Sequence, residues 1–296
     1  MKVVKPITIT DAMLISSSVP ETDYPAWNAA TSYAVGDKVI RTTTHRIYVC
    51  LVAGVNATAP ESNSTKWLDY SPTNRWACFD SQISTETIGT DTLAITLQTG
   101  ATINAISLIN VTASSVAISI SYGGSIVYTD SKNLDRTAFT GWYDWFFRGR
   151  DLLTQAIFTG IPPYGTGQIT ITLTGIGTVS CGVLVVGNLR DLGITQRDAK
   201  IEIFDYSVKS TDEFGTTTFV KRKNAKKIEI DFILENARLD ATYAAMALLC
   251  AVPSVWIISE ENSMELLNIF GWYSGFTVVV QYATHSMCTL QIQGLT

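Results

Sequence analysis

The stretch from Tyr24 to Trp67, YPAWNAATSYAVGDKVIRTTTHRIYVCLVAGVNATAPESNSTKW, sets the tightest limit on what this chain can fold into. A unit of roughly fifty residues encloses only a small core, too little for stability from aliphatic packing alone. Aromatic side chains bury the most area each, so Trp27, Tyr33, Tyr48 and Trp67 must supply most of the stabilisation. Gly36 and Asp37 mark a turn, because glycine takes positive φ freely and aspartate bonds the backbone around it. The turn feeds a strand at Lys38–Ile40, and a second strand runs from Arg46 to Val52. The pattern predicts a small β module with its rings as core, the usual place of large aromatics.

The rest of the chain is long enough for two further domains, at 296 residues in all. Hydrophobic residues make up 46% and charged residues only 16%, with abundant Thr, Ser, Ile and Val, which points to β-rich structure with much covered surface. A net charge of −5 argues against nucleic acid as a partner, since phosphate neutralisation needs a basic face. The start MKVVKPITIT lacks the apolar run of a signal peptide, and no stretch is apolar for long enough to predict a membrane span. The cysteines at 50, 78, 181, 250 and 288 are odd in number and scattered without a CxxC pair. They read as buried free thiols of a chain made in the cytosol, with no metal or cofactor expected.

Taken in order, residues 1–23 read as an arm and linker, a strand-like Val3–Thr10 followed by a polar segment bracketed by Pro20 and Pro25. An arm of this kind packs on a neighbour or frays. Residues 24–72 are the aromatic module. Residues 73–190 carry short Ile/Val/Thr-rich runs at 93–97, 105–110, 116–122, 168–174 and 182–186, separated by Gly and polar clusters, the texture of a β-sandwich. Residues 191–296 mix strands with one helix, expected over Leu234–Leu249 with Asn236 as cap and Leu239, Tyr243, Met246, Ala247 and Cys250 along its face. The fold class is thus mainly β: aromatic-cored module, jelly-roll-like sandwich, then an α+β domain.

Within the sandwich, Thr140–Arg148 (TGWYDWFFR) gathers five aromatics in six positions. A strand crossing the sandwich would bury alternate rings, but period-two geometry cannot bury five neighbours on one side. Trp142, Tyr143, Trp145 and Phe147 are therefore the interface candidates, rings and arginines being the residues that dominate binding hot spots. Further on, strands Lys200–Tyr206 and Thr217–Lys221 are expected to flank a hairpin tip at Asp212–Gly215. The basic run Lys221, Arg222, Lys223, Lys226 and Lys227 reads as a solvated or partner-facing turn.

Catalytic patterns do not emerge. His45 in TTTHR and His285 in ATHSM lie outside any nucleophile, GxSxG or HExxH context and read as surface polar residues in turns. No two carboxylates are marked out as a hydrolytic pair, and the expectation is that the chain is not an enzyme.

The succession of Trp27, Tyr33, Gly36-Asp37, Val39, Tyr48, Pro60 and Trp67 resembles the small chitin-binding modules of carbohydrate-binding families 5 and 12, which recur in proteins of bacteriophage tails. The phrase NRWACFD before a sandwich, and FDYSVKSTDEFG before FVKRKNAKKIEIDF, resemble segments of phage tail-tip proteins. The resemblance implies a structural protein of the virion, in the tail tip or baseplate, synthesised in the host cytoplasm. It would assemble as a trimer or hexamer and contact other tail proteins, with a host surface glycan as a further partner. It also implies carbohydrate-binding candidates at Trp27, Tyr33, Tyr48 and Trp67. The chain departs from the sugar-binding pattern where exposed aromatics should follow the tyrosine strand: Val49, Cys50, Leu51 and Val52 offer no flat face.

Overall fold

The runs of alternating Ile, Val and Thr do become strands, and all but the aromatic module and one hairpin join a single 14-stranded sheet system. The computed structural model describes the chain apart from residues 138–140, 148, 150, 197–198, 260–261, 281 and 296 and the side chains of 144, 145, 262 and 263. The organising element is a strand of 24 residues, Gln168–Asp191. Its first part lies between Ser115–Tyr122 and Thr87–Leu97. The register then shifts between Thr174 and Thr178, and the second part lies beside Ala105–Thr112. The strand therefore changes sheets, and the space between the two sheets is the sandwich core. Leu93, Ile95, Ile118, Ile120, Ile169 and Ile171 fill it from one side; Ile106, Leu108, Phe158, Leu184 and Val186 fill it from the other.

From Val179 to Gly187 every residue of the long strand is buried. Strands covered on both faces read as continuous apolar runs instead of alternating ones. On the second face Val183 and Val185 pack with Ala105, Ile109, Val255, Ile257, Phe270 and Val4, the last of these from the N-terminal strand. Lys2–Pro6, expected as an arm, is an interior strand, antiparallel to Asp191–Gly187 on one side and to Ser254–Ile257 on the other. Val3 pairs with Trp256 and faces the C-terminal core; Val4 pairs with Val255 and faces a cluster shared with Ile109, Val183 and Val185 of the sandwich. Both valines are fully buried, which removes this segment from the surface where an arm could dock.

Beyond Ser254–Ile257 the sheet continues through Asn268–Val279, His285–Gly294 and Asn224–Glu235 to Lys200–Asp205. The helix is shorter than its pattern suggested, Leu239–Ala247, after a 3-10 turn at Asn236–Arg238. Leu234 lies in the strand Asn224–Glu235 instead. The Asn236 amide does not cap; it donates to the carbonyls of Tyr282 (2.9 Å) and Ala283 (3.0 Å) and holds that loop. The buried face runs through Thr242, Ala245, Met246 and Leu249, leaving Tyr243 and Cys250 exposed.

The module forms its own sheets: Lys38–Arg41, Arg46–Cys50 and Trp67–Pro72 in one, Ser32–Tyr33 with Gly54–Val55 in the other. It is attached to the large sheet by side chains and not by a ladder.

At Gly187 the N-terminal strand passes so close that an added Cβ would lie on the Lys5 carbonyl oxygen. Gly187→Ala should therefore lower the unfolding free energy by about 2 kcal/mol or more, as overpacked core positions do. Urea unfolding measures it, and an unchanged midpoint would show that Lys2–Pro6 does not lie against this strand.

Candidate functional site

The four rings of the module do not form a platform. Tyr33, Tyr48 and Trp67 are buried with Val39 and Cys50, and Trp27 packs against them half-buried. Tyr33 meets Trp67 edge-on, with centroids 5.1 Å apart at 74°. The Tyr33 hydroxyl accepts the Asn28 backbone N–H at 2.7 Å, and the Tyr48 hydroxyl lies 3.2 Å from that of Thr44. Trp27 is covered by the Arg41 guanidinium at 4.9 Å. Arg41 in turn donates twice to Glu61, at 3.1 and 2.7 Å. These hydrogen bonds hold the Glu61 carboxyl below its ordinary value, against a smaller opposing effect of burial. A pyranose has no open ring face here. Where the sugar-binding pattern places aromatics, Leu51 and Val52 are exposed and Cys50 is buried.

Two exposed rings of the module lay outside the sequence pattern. Tyr24 and Tyr70 flank the Lys38 ammonium, at 5.4 and 4.2 Å from their centroids. The signal was present in the sequence only as isolated tyrosines; the cation between them depends on the register of Lys38 with the Trp67–Pro72 side of the sheet.

His45 is no free surface residue. It occupies the left-handed region, φ 55°, at the hairpin tip, and its ring stacks on Trp76 at 4.0 Å and 20°. Nδ1 lies 3.0 Å from Glu21 and Nε2 lies 3.4 Å from Asp11. Thr73 completes the joint: its hydroxyl donates to Glu21 at 3.0 Å and its backbone N–H to the His45 carbonyl at 2.9 Å. The joint draws on the linker (Asp11, Glu21), the module (His45) and the entry to the sandwich (Trp76), residues too far apart in sequence to be read together. His285 begins a strand and stacks on Tyr282 at 4.4 Å.

The aromatic run is not a strand inside the sandwich. Trp142–Phe147 forms a short helix on the outside, with Trp142 81%, Tyr143 75%, Phe146 66% and Phe147 73% exposed. Tyr143 and Phe147, one turn apart, pack at 4.8 Å, a spacing that only a helix brings together. A run without polar alternation cannot serve a strand with one wet face. The Trp145 side chain lies outside the described residues.

The basic run divides. Lys221, Arg222 and Lys223 are exposed. Lys226 turns inward and donates to the carbonyls of Leu266 (2.9 Å) and Asn268 (2.8 Å), and burial lowers its pKa. Lys227 reaches Glu202 at 3.8 Å. Burial also pushes the Cys78 thiol up to about 12 and that of Cys181 well above its ordinary value, so neither is poised as a nucleophile. Among the described residues no group of three or more His, Cys, Asp or Glu side chains is placed to hold a metal ion. No described helix is long and apolar enough to cross a membrane. No protein-family model and no curated protein matches this chain. What remains as a candidate site is outward-facing apolar surface: the Trp142–Phe147 helix, and the rings of Phe214 and Phe219 on the hairpin Val208–Thr211 with Thr217–Val220, whose first strand is not the expected Lys200–Tyr206 because Lys200–Asp205 belongs to the large sheet.

Two measurements test this geometry. Because the Glu61 value is lowered on folding, the Arg41–Glu61 contribution is complete above about pH 4.3 and is lost as pH falls through the folded value. Glu61→Gln should be less stable than the parent near pH 7, and in urea unfolding the gap should close as pH falls through the folded Glu61 value; a gap that stays constant would assign the effect elsewhere. His45→Ala should speed proteolytic cleavage around residues 17–25 several-fold while leaving the sandwich core intact, and an unaltered cleavage rate would remove His45 from the joint.

Proposed function

We propose that this chain is a structural component of a bacteriophage tail tip or baseplate, made in the host cytoplasm and carried in the virion. It assembles as a symmetric oligomer and contacts neighbouring tail proteins. The observation that carries the reading is the helix Trp142–Phe147, whose described rings are two-thirds or more exposed. Contiguous exposed aromatics mark a surface that a partner covers, and they are costly to leave in water. The order of segments supports the same reading, since an aromatic module, a sandwich and an α+β unit resemble joined parts of tail-tip proteins. The continuous sheet suits a part that transmits load, because a ladder and not a flexible linker joins the sandwich to the C-terminal strands.

Light scattering on the purified full chain is the first test, with a glycan array on the same sample. The expected result is a discrete oligomer, a trimer or hexamer, with no glycan signal. Trp142→Ala with Phe146→Ala should leave the melting temperature unchanged, because both rings are exposed, and should weaken association with neighbouring tail proteins. A monomer at every concentration that binds one glycan class would overturn the structural reading in favour of receptor recognition.

A further inference from the structure

Half of the basic run has no acid to answer it. Lys227 reaches Glu202, and Lys226 gives its ammonium to buried carbonyls. Lys221, Arg222 and Lys223 form no ion pair among the described residues, and all three are exposed. They stand where the hairpin leaves the large sheet. The ladder of Lys200–Asp205 with Asn224–Glu235 ends at the pair Asp205–Asn224, and the hairpin starts beyond it. The backbone fixes the cations at that point. The Arg222 N–H donates to the Ser207 hydroxyl at 3.0 Å, and the Lys223 carbonyl accepts the Tyr206 N–H at 3.2 Å.

Lys221, Arg222, Lys223 and Asn224 line an open hollow of about 490 Å³. Its lining offers two ammonium groups, a guanidinium fork and an amide, all of them donors, and no carboxylate. Other hollows on the molecule mix the signs, with Asp130 and Glu265 beside Lys132 in one and Asp11 and Asp80 beside Arg46 in another. The acids close in sequence do not cancel the cluster. Asp205 accepts the Ser207 N–H at 2.9 Å, and hydrogen bonds from Ser207, with a smaller pull from Lys209, hold its carboxyl below its ordinary value. Asp212 and Glu213 belong to the far tip, where the Asp212 Oδ1 accepts the N–H groups of Phe214 (3.0 Å) and Thr216 (2.7 Å). That tip stands about 17 Å from the level of Ser207, at ~3.3 Å for each residue of extended chain. The separation is about two Debye lengths, so the tip leaves the base positive.

We infer that this hollow binds phosphate groups. A phosphate presents three strong acceptor oxygens and nearly two negative charges, which suits several donors that converge with no acid among them. A protein carboxylate brings two oxygens and one charge. Three cations on a chain of net charge −5 suit a short run of phosphates and not a long duplex. Lipid headgroups and soluble polyphosphate supply the same chemistry. The inference goes beyond the tail-protein reading and does not rest on it.

The test uses the full chain with two probes, linear inorganic polyphosphate followed by calorimetry and phosphatidylglycerol vesicles followed by sedimentation. Polyphosphate should bind the parent and lose roughly twentyfold in affinity between about 50 and about 200 mM salt, as three phosphates neutralised on a flexible polyanion require. Lys221→Ala/Arg222→Ala/Lys223→Ala should bind at least tenfold more weakly, with its salt dependence flattened. Lys5→Ala/Lys66→Ala/Arg190→Ala removes the same charge elsewhere and should bind like the parent. Melting temperatures should be unchanged for the first variant, whose three side chains are exposed. Sedimentation with phosphatidylglycerol and not with phosphatidylcholine vesicles would support the site and name lipid as its source; polyphosphate binding alone would support it with soluble phosphate as the source. Failure to bind either probe would overturn the inference, as would equal losses in the two triple variants. A first variant that keeps phosphate affinity but no longer assembles would make these cations a protein contact and overturn it too.

Discussion

The close pass of two backbones at Lys5 and Gly187 is the contact on which the rest of the large sheet depends. Lys2–Pro6 is hydrogen-bonded on both edges, to the end of the long strand and to Ser254–Ile257. Remove it and each of those strands gains an open edge with unpaired N–H and C=O groups, which buried sheets do not tolerate. The side chains add to this. Val3 and Val4 point to opposite faces, one into the helix-covered core and the other into the cluster behind the sandwich. A five-residue strand thus couples two cores that the sequence would assign to separate domains. That is possible because residues 179–187 of the long strand are covered on both faces.

The module is held by a different kind of contact. Its own core is five buried side chains with Trp27 packed against them, and its attachment is the joint of His45, Glu21, Asp11, Thr73 and Trp76. Stacking and hydrogen bonds across such a seam are individually modest. The expected hierarchy is a module that loosens before the large sheet opens.

Local pattern was enough for features that local physics decides. Alternation placed the strands around 93–97, 116–122 and 168–174, the turn at Gly36 and the hairpin tip at Asp212, and spacing marked the module rings as core. It failed where partners distant in sequence decide. Nothing in Lys2–Pro6 says that its neighbours are residues 187–191 and 254–257, because a strand's pattern fixes which faces are wet but not which edges are paired. The helix face was misjudged for a related reason. Tyr243 and Met246 both fit an apolar stripe, and only the position of the sheet beneath chose Met246. The aromatic run was read as strand because rings favour sheets in general, yet the sandwich interior was already filled by aliphatic side chains. His45 looked solitary because its partners come from three separate segments.

The placement of the first strand has a consequence for how the molecule is made. The ammonium group of Met1 donates to the Gly193 carbonyl, 192 residues away in sequence, and the other edge of the strand waits for residues 254–257. On a ribosome, residues 2–6 emerge some 250 residues before residues 254–257, so this strand finds its second partner late. The sandwich strands can meet while the chain is still emerging, but the sheet behind them stays open until residues 254–257 have followed. Contacts of such long separation make folding slow and leave apolar edges exposed in the interval.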